Sequence, residues 1–503
     1  MRRWILGMAL GAWMGGAAAA GTQAAGTAED PFAATDRIFA DFFLEAHIPG
    51  MVYGVVADGR LVHVGVYGVQ DLESHRSVSA DTLFRIASMT KAFTALTLLQ
   101  LRDEGKVRLD DAAEQYVPEL KGWKYPTEDS PRIRVRDLLN HVAGFVTDDP
   151  WGDRQTPLPE AEFSRLLRAG VPFTRAPETA FEYSNLGFAL VGRIITNVSK
   201  ENYADTITRN LLQPLHMNSS GFVAEAAPAS SRALGYRWED EAWRLEPTLG
   251  PGAFGAMGGV QTSANDYAKW VAFLLSAWPP RDGAEVGPVK RATVRELAMG
   301  SNFVRVRARF GHTGADACRQ AAAYGMGFIV AADCNLGLTL SHGGGYPGFG
   351  SHVLLLPEHG VAIFAFANRT YAGPSAPVWD AAMALQSSGW LPAARGMPVS
   401  AALAGAYAVA GSIYSAGDVT GAHARLAMNF LLDRGAEGWT RDLTALKAQV
   451  GDCDSAAPTL VATGALTGEF TWRCTNGRVK GSLELAPTLP PLIQELKLGA
   501  VAP

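Results

Sequence analysis

Two groups of short β-rich runs stand far apart in this chain, one beginning at Met51 and the other at Tyr324, with helical and loop-like sequence between them. The first group is a hairpin signal. Met51 to Val56 and Leu61 to Val66 are joined through Asp58-Gly59, a dipeptide suited to the positive φ of a tight turn. A short helix over Ala34 to Ala46 leads into it. The second group comprises Tyr324 to Ala332, Leu338 to His342, His352 to Leu356 and Val361 to Ala367. Each of these runs is bounded by glycine, proline or asparagine and reads as one of several neighbouring antiparallel strands. Val135 to His141, Asn185 to Ser199 and Ala264 to Leu275 read as helices. An early hairpin, a helical middle and a late meander predict one antiparallel sheet built from both ends of a domain, with helices on its faces: an α+β architecture.

With 503 residues, 48% hydrophobic and 18% charged, the chain can bury a sizeable core and divides into two domains. The sequence turns proline-rich from Leu391 to Pro398. Beyond it, helical segments over Thr420 to Arg434 and Trp439 to Val450, then strand-like runs ending at Leu498, predict a small α+β domain over residues 400–503. The main domain is then 30–392. A net charge of −5 without a basic block argues against nucleic acid as a partner.

Met1-Arg2-Arg3, the apolar run Trp4 to Leu10 and small residues through Ala20 read as a secretory signal over residues 1–25, which implies a periplasmic or secreted protein. That apolar run is short and rich in glycine and alanine, so no stable membrane anchor is expected. Export makes the four cysteines candidate disulfides; of three pairings, the local one joins Cys318 to Cys334 and Cys453 to Cys474. Neither pair has zinc-site spacing, and neither an H-E-x-x-H motif nor a glycine-rich phosphate loop occurs, so no metal or nucleotide cofactor is expected. The absence of G-x-S-x-G argues against an α/β-hydrolase.

The chemistry concentrates in three clusters. Ser88-Met89-Thr90-Lys91 precedes an apolar stretch, Ala92 through Leu101, that reads as a buried helix stopped by Gly105. Spacing of i, i+3 lets the Lys91 amine reach the Ser88 hydroxyl, a weak nucleophile until its proton is taken. Tyr183-Ser184-Asn185 opens a second helix, and His342-Gly343-Gly344-Gly345 ends a strand.

In their order and spacing these clusters resemble the serine β-lactamase and penicillin-binding protein superfamily, particularly its class C β-lactamase, D-alanyl-D-alanine peptidase and family VIII esterase branch. The resemblance spans about residues 35 to 390. It extends to Asp81 through Ser88, Ile133 through Gly144 and Gly258 through Asp266. It implies Ser88 as the acylated nucleophile and Lys91 as its proton acceptor or the cation that keeps a neighbouring base ionised. Tyr183 would be the second base, and Asn185 would orient Lys91 and the substrate amide. The N–H groups of Ser88 and Gly345 would form the oxyanion hole, with Gly343 and Gly344 letting the strand edge approach the substrate. Tyr346 and Trp151 are candidate cleft residues, and His141 reads as a loop-ordering hydrogen-bond donor.

One departure carries a consequence. The lysine common at the third motif is replaced by His342, and a histidine near its reference pKa of about 6.5 is mostly neutral at pH 7. Weaker recognition of carboxylates favours esters, amides or D-amino-acid peptides over penicillins. Glu178 stands where relatives usually have a glycine after Pro177. The resulting expectation is an exported serine hydrolase acting through an acyl-enzyme on a small-molecule or peptide substrate. The alternative is a non-turnover penicillin-binding sensor of the same fold.

Overall fold

The computed structural model describes residues 30–147, 152–309 and 317–501; the candidate signal over residues 1–25 and Trp151 lie outside the described residues. Helix α1 (Ala33–Glu45) leads into strands β1 (Gly50–Ala57) and β2 (Arg60–Asp71), joined at Asp58 (φ 49°) and Gly59 (φ 73°). Short strands β3 (Arg76–Ser77) and β4 (Phe84–Arg85) follow, then helices α2 (Thr90–Asp103), α3 (Val135–Leu139), α4 (Glu160–Ala169) and α5 (Asn185–Ser199). A small hairpin, β5 (Tyr236–Glu239) and β6 (Ala242–Leu245), precedes β7 (Gln261–Thr262), which pairs with β4. The late strands are β8 (Asn302–Ala308), β9 (Arg319–Tyr324), β10 (Ile329–Asp333), β11 (Gly337–Tyr346), β12 (Phe349–Leu356) and β13 (Val361–Ala367).

These strands form one antiparallel nine-stranded sheet in the order β3-β2-β1-β13-β12-β11-β10-β9-β8. The two ends of the domain meet where β1 pairs with β13, from Met51 opposite Ala367 to Ala57 opposite Val361. Every residue of β1, β12 and β13 is buried, as central strands covered on both faces require. Alternation sorts their side chains. Met51, Tyr53 and Val55 pack with Phe39 and Trp379 on one face, while Val52 and Val56 join the core of the helical middle on the other.

Two differences from the sequence reading have local causes. The run Tyr324 to Ala332 is not one strand: Gly325-Met326-Gly327 folds back, with Gly327 at φ 95° and the Gly325 N–H donating to Phe328 O (2.9 Å). β8 escaped notice because it is a largely exposed edge strand whose apolar residues are interrupted by Arg305 and Arg307.

The carboxy-terminal segment has its own antiparallel sheet, β14 (Val461–Ala462), β15 (Thr467–Cys474), β16 (Gly477–Ala486) and β17 (Leu492–Ala500). Its core sets Leu403, Tyr407, Ala410 and Tyr414 of a helix over Ala401–Ala416 against Phe470, Trp472 and Val479. That helix was not foreseen. The expected helix over Thr420 to Arg434 is instead a 3-10 turn (Thr420–Arg425) and a short helix (Phe430–Asp433). The disulfides take the local pairing, Cys318–Cys334 and Cys453–Cys474. Among the described residues no helix is long and apolar enough to cross a membrane.

Helix α2 is buried nearly all round, and Phe93 stacks on Trp270 of the helix Ala264–Leu275 with ring centroids 3.9 Å apart. Replacing Phe93 by alanine removes that stack and leaves a cavity. The substitution is expected to cost about 3–5 kcal/mol, read as a lowered urea midpoint.

Candidate active site

Ser88 stands on a one-turn 3-10 helix, Ala87–Met89, between β4 and α2. Ala87 holds φ 48°, a left-handed conformation unusual for a residue with a side chain, so the chain turns sharply just before the hydroxyl. Ser88 is half-buried, whereas Lys91 one turn later is 0% exposed.

The Lys91 amine meets three acceptors from three remote segments: Ser88 Oγ at 3.0 Å, Asn185 Oδ1 at 2.9 Å and the Met257 carbonyl at 3.0 Å. Three N–H donors of an ammonium match three acceptors. Asn185 is held at the start of α5, whose cap is Ser184 Oγ accepting from the Gly187 N–H (3.2 Å). Met257 is fixed by the same face of α2: Thr94 Oγ1 donates to Ala256 O (2.7 Å), and the Val260 N–H donates to Thr90 Oγ1 (3.1 Å). The Met257 carbonyl was not anticipated. A main-chain acceptor leaves no trace in residue type, although Met257 directly precedes the run Gly258 through Asp266.

Tyr183 completes the cluster, its ring centroid 4.8 Å from Lys91 Nζ and 4.4 Å from that of His141. His141 Nδ1 accepts the Ser184 N–H (3.1 Å), which assigns the ring proton to Nε2. The expected loop-ordering donor therefore acts as an acceptor. Its buried Nε2 has no hydrogen-bond partner among the described residues.

His342 is 5% exposed and both ring nitrogens are engaged. Nδ1 donates to Gly343 O (2.6 Å), and Nε2 accepts from Tyr324 Oη (3.1 Å), an arrangement that fixes a neutral ring. Burial, reinforced by the Lys91 charge, pushes its pKa down to about 4. The same two causes, with His342 as a third, hold His141 well below its ordinary value. His352, on the neighbouring strand, is pushed down to about 3, first by burial and then by His342 and Arg307.

The glycines after His342 form an open edge. Pairing of β11 with β10 stops at Ser341, while pairing with β12 continues to Tyr346, so His342 to Tyr346 has a strand on one side only. Gly344 is where the Ser88 turn presses closest. A Cβ there would lie 2.3 Å from Ile86 O, so only glycine fits. Gly343 and Gly345, on the alternate positions, remain half-exposed. Tyr346 is buried. Glu178 has φ 66°, the conformation that favours glycine, and its carboxylate pairs with Arg134. Among the described residues no group of three or more metal-ligating side chains gathers at a point.

Comparison with known proteins identifies the family and the fold. The family model for beta-lactamase matches residues 32–388. Protein flp of Staphylococcus aureus (strain COL) is 29% identical over 347 residues; the match covers 67% of this chain and 63% of that protein's length. An octameric penicillin-binding protein homologue from Pyrococcus abyssi superposes with a TM-score of 0.58 at 19% identity, covering 92% of this chain and 99% of its own. A D-alanine carboxypeptidase AmpC from Burkholderia cenocepacia superposes with a TM-score of 0.56 at 22% identity, covering 72% of this chain and all of its own. Identities this low in the solved structures establish the fold.

The buried histidines make stability depend on pH in a defined direction. Unfolded, each titrates near its ordinary value of about 6.5. Folded, His342 resists protonation until about 4 and His352 until about 3. Their contribution is therefore complete above pH 6.5 and is lost as the pH falls through that window, where the unfolded chain binds more protons. The urea midpoint is expected to drop between pH 7.5 and pH 5, and His342→Gln should flatten that drop.

Proposed function

We propose that this chain, which belongs to the beta-lactamase family, is an exported serine hydrolase that works through an acyl-enzyme at Ser88 on esters or D-amino-acid peptides. The observation that carries the reading is the 3.0 Å contact between Lys91 Nζ and Ser88 Oγ, made by a buried amine beside a half-buried hydroxyl. In this reading the Lys91 ammonium favours the ionised form of Tyr183, and the Tyr183 phenolate takes the hydroxyl proton as Ser88 Oγ attacks the substrate carbonyl. The N–H groups of Ser88 and Gly345 stabilise the oxyanion. The carbon-to-leaving-group bond then breaks, and the proton passes through the Tyr183 phenol to the departing oxygen or nitrogen. Water adds to the acyl-enzyme, releasing the acid and restoring the Ser88 hydroxyl. Asn185 keeps the amine aimed at Ser88, since its Oδ1 accepts from the same nitrogen.

The substrate preference rests on His342. A neutral ring committed to Tyr324 and Gly343 supplies no fixed positive charge, so a substrate carboxylate gains little there. The open edge of β11 suits an extended acyl chain or peptide, whose main-chain groups can pair with a strand. Export is supported by the leader-like sequence over residues 1–25 and by two disulfides.

A fluorophosphonate probe is expected to label the purified chain at Ser88 and to leave Ser88→Ala unlabelled. Lys91→Met should lower kcat/KM for a nitrophenyl ester by about 10²–10⁴-fold, chiefly in kcat. Sustained turnover of that ester fits the hydrolase; a single burst of one equivalent would instead mark a non-turnover receptor. Across a panel of short-chain esters, D-alanyl peptides and nitrocefin, the first two classes should be hydrolysed with the higher kcat/KM. Preference for nitrocefin would refute the argument from His342.

A further inference from the structure

Beside Arg85, in the strand that leads into the Ser88 turn, lies a narrow, partly open cavity of about 20 Å³ whose lining includes Arg85, Arg232, Glu246, Gln261 and Tyr346. Such a volume admits one body about the size of a water molecule. Arg85 is 4% exposed. Its Nη1 donates to Leu249 O (2.7 Å) and its Nη2 to Tyr346 Oη (3.2 Å), while its buried Nε has no partner. The buried Nε of Arg232 likewise has none. Among the described residues no carboxylate lies within 4.0 Å of either guanidinium. Glu246, the one acid lining the cavity, is already engaged: Arg154 donates to its two oxygens at 3.0 and 3.1 Å, and Thr370 Oγ1 donates at 3.3 Å.

A buried guanidinium without a counter-charge is costly, as at Arg85; Arg232 is half-buried and adds a second shielded Nε to the lining of the same cavity. We propose that this cavity binds a single monatomic anion of the halide class, chloride in ordinary buffers, between Arg85 Nε and Arg232 Nε. The two cationic donors disfavour a metal ion, and the narrow volume favours a monatomic ion over phosphate, sulfate and carboxylates. A water molecule would fill the space without answering the charge.

Position gives the site its consequence. Arg85 lies three residues before Ser88, and Tyr346 directly follows Gly345. Their mutual hydrogen bond, extended from Tyr346 Oη to Thr156, ties the turn carrying the serine to the end of the strand opposite it. An anion on the far side of Arg85 holds that guanidinium in place and so braces both walls of the site.

The test uses unfolding and diffraction on the full chain and does not depend on any activity at Ser88. At constant ionic strength, replacing sodium gluconate by 200 mM sodium chloride or bromide should raise the thermal midpoint by about 2–4 °C. Arg232→Gln, with an unchanged circular dichroism spectrum, should abolish the difference between the salts. Crystals of the unaltered protein grown in bromide should give an anomalous peak between Arg85 and Arg232. Equal midpoints in the two salts, a halide effect that survives in Arg232→Gln, or no anomalous peak in this cavity would each overturn the assignment in favour of a buried water.

Discussion

One buried amine organises the candidate site of this molecule. Lys91 is sealed from solvent, so its donors must be satisfied within the protein, and each acceptor comes from a different stretch of chain: Ser88, Asn185 and Met257. Losing any one would leave a polar hydrogen buried without a partner. The requirement therefore works in both directions. It places the amine against the serine, and it locks α5 and the 255–260 segment onto α2, where Thr90 and Thr94 add two further bonds. Reactivity and packing here follow from the same satisfied valences.

The sheet supplies the other wall. Because β1 pairs with β13, the early hairpin and the late meander become one surface, and β11 is set across the Ser88 turn. Close approach then depends on what β11 lacks. Gly344 leaves room for Ile86 O, and Ser351 Oγ donates to that same carbonyl at 2.8 Å, so β11 and β12 both grip the turn. The early end of β10 leaves the strand edge unpaired from His342 onward, where an extended substrate has something to pair with.

Much of this was legible in the residues, for identifiable reasons. The i, i+3 spacing of Ser88 and Lys91 survives folding because the 3-10 turn runs straight into α2. Strand alternation and Asp58-Gly59 are local signals, and the hairpin obeys them. What stayed hidden depends on partners distant in sequence. Met257 contributes a carbonyl that every residue type possesses. β8 is an edge strand in which Arg305 faces solvent and Arg307 turns partly inward, so burial wrote no apolar period into it. The helix Ala401–Ala416 did carry a readable pattern, Leu403, Tyr407, Ala410 and Tyr414, with Ser400 Oγ capping Leu403 N–H at 3.1 Å; its alanine-rich filling masked the contrast between faces. Glu178 is intelligible only with the backbone in view, since its left-handed φ explains the glycine expected there and Arg134 explains the tolerated carboxylate.

Burial first, and then the same charge, keep His141 and His342 neutral. A cation in a low-dielectric pocket raises the cost of placing a second one nearby, and His141 and His342 both sit within the field of Lys91. Neutrality at these positions is thus set by burial and reinforced by Lys91. It is fixed in hydrogen bonds: Ser184 N–H occupies Nδ1 of one ring, and Tyr324 and Gly343 occupy both nitrogens of the other. In the proposed hydrolysis, a wall of neutral rings around this amine would leave the proton traffic at Ser88 to Lys91 and Tyr183. It would also leave the proposed substrate to be gripped by shape and main-chain hydrogen bonds instead of by charge.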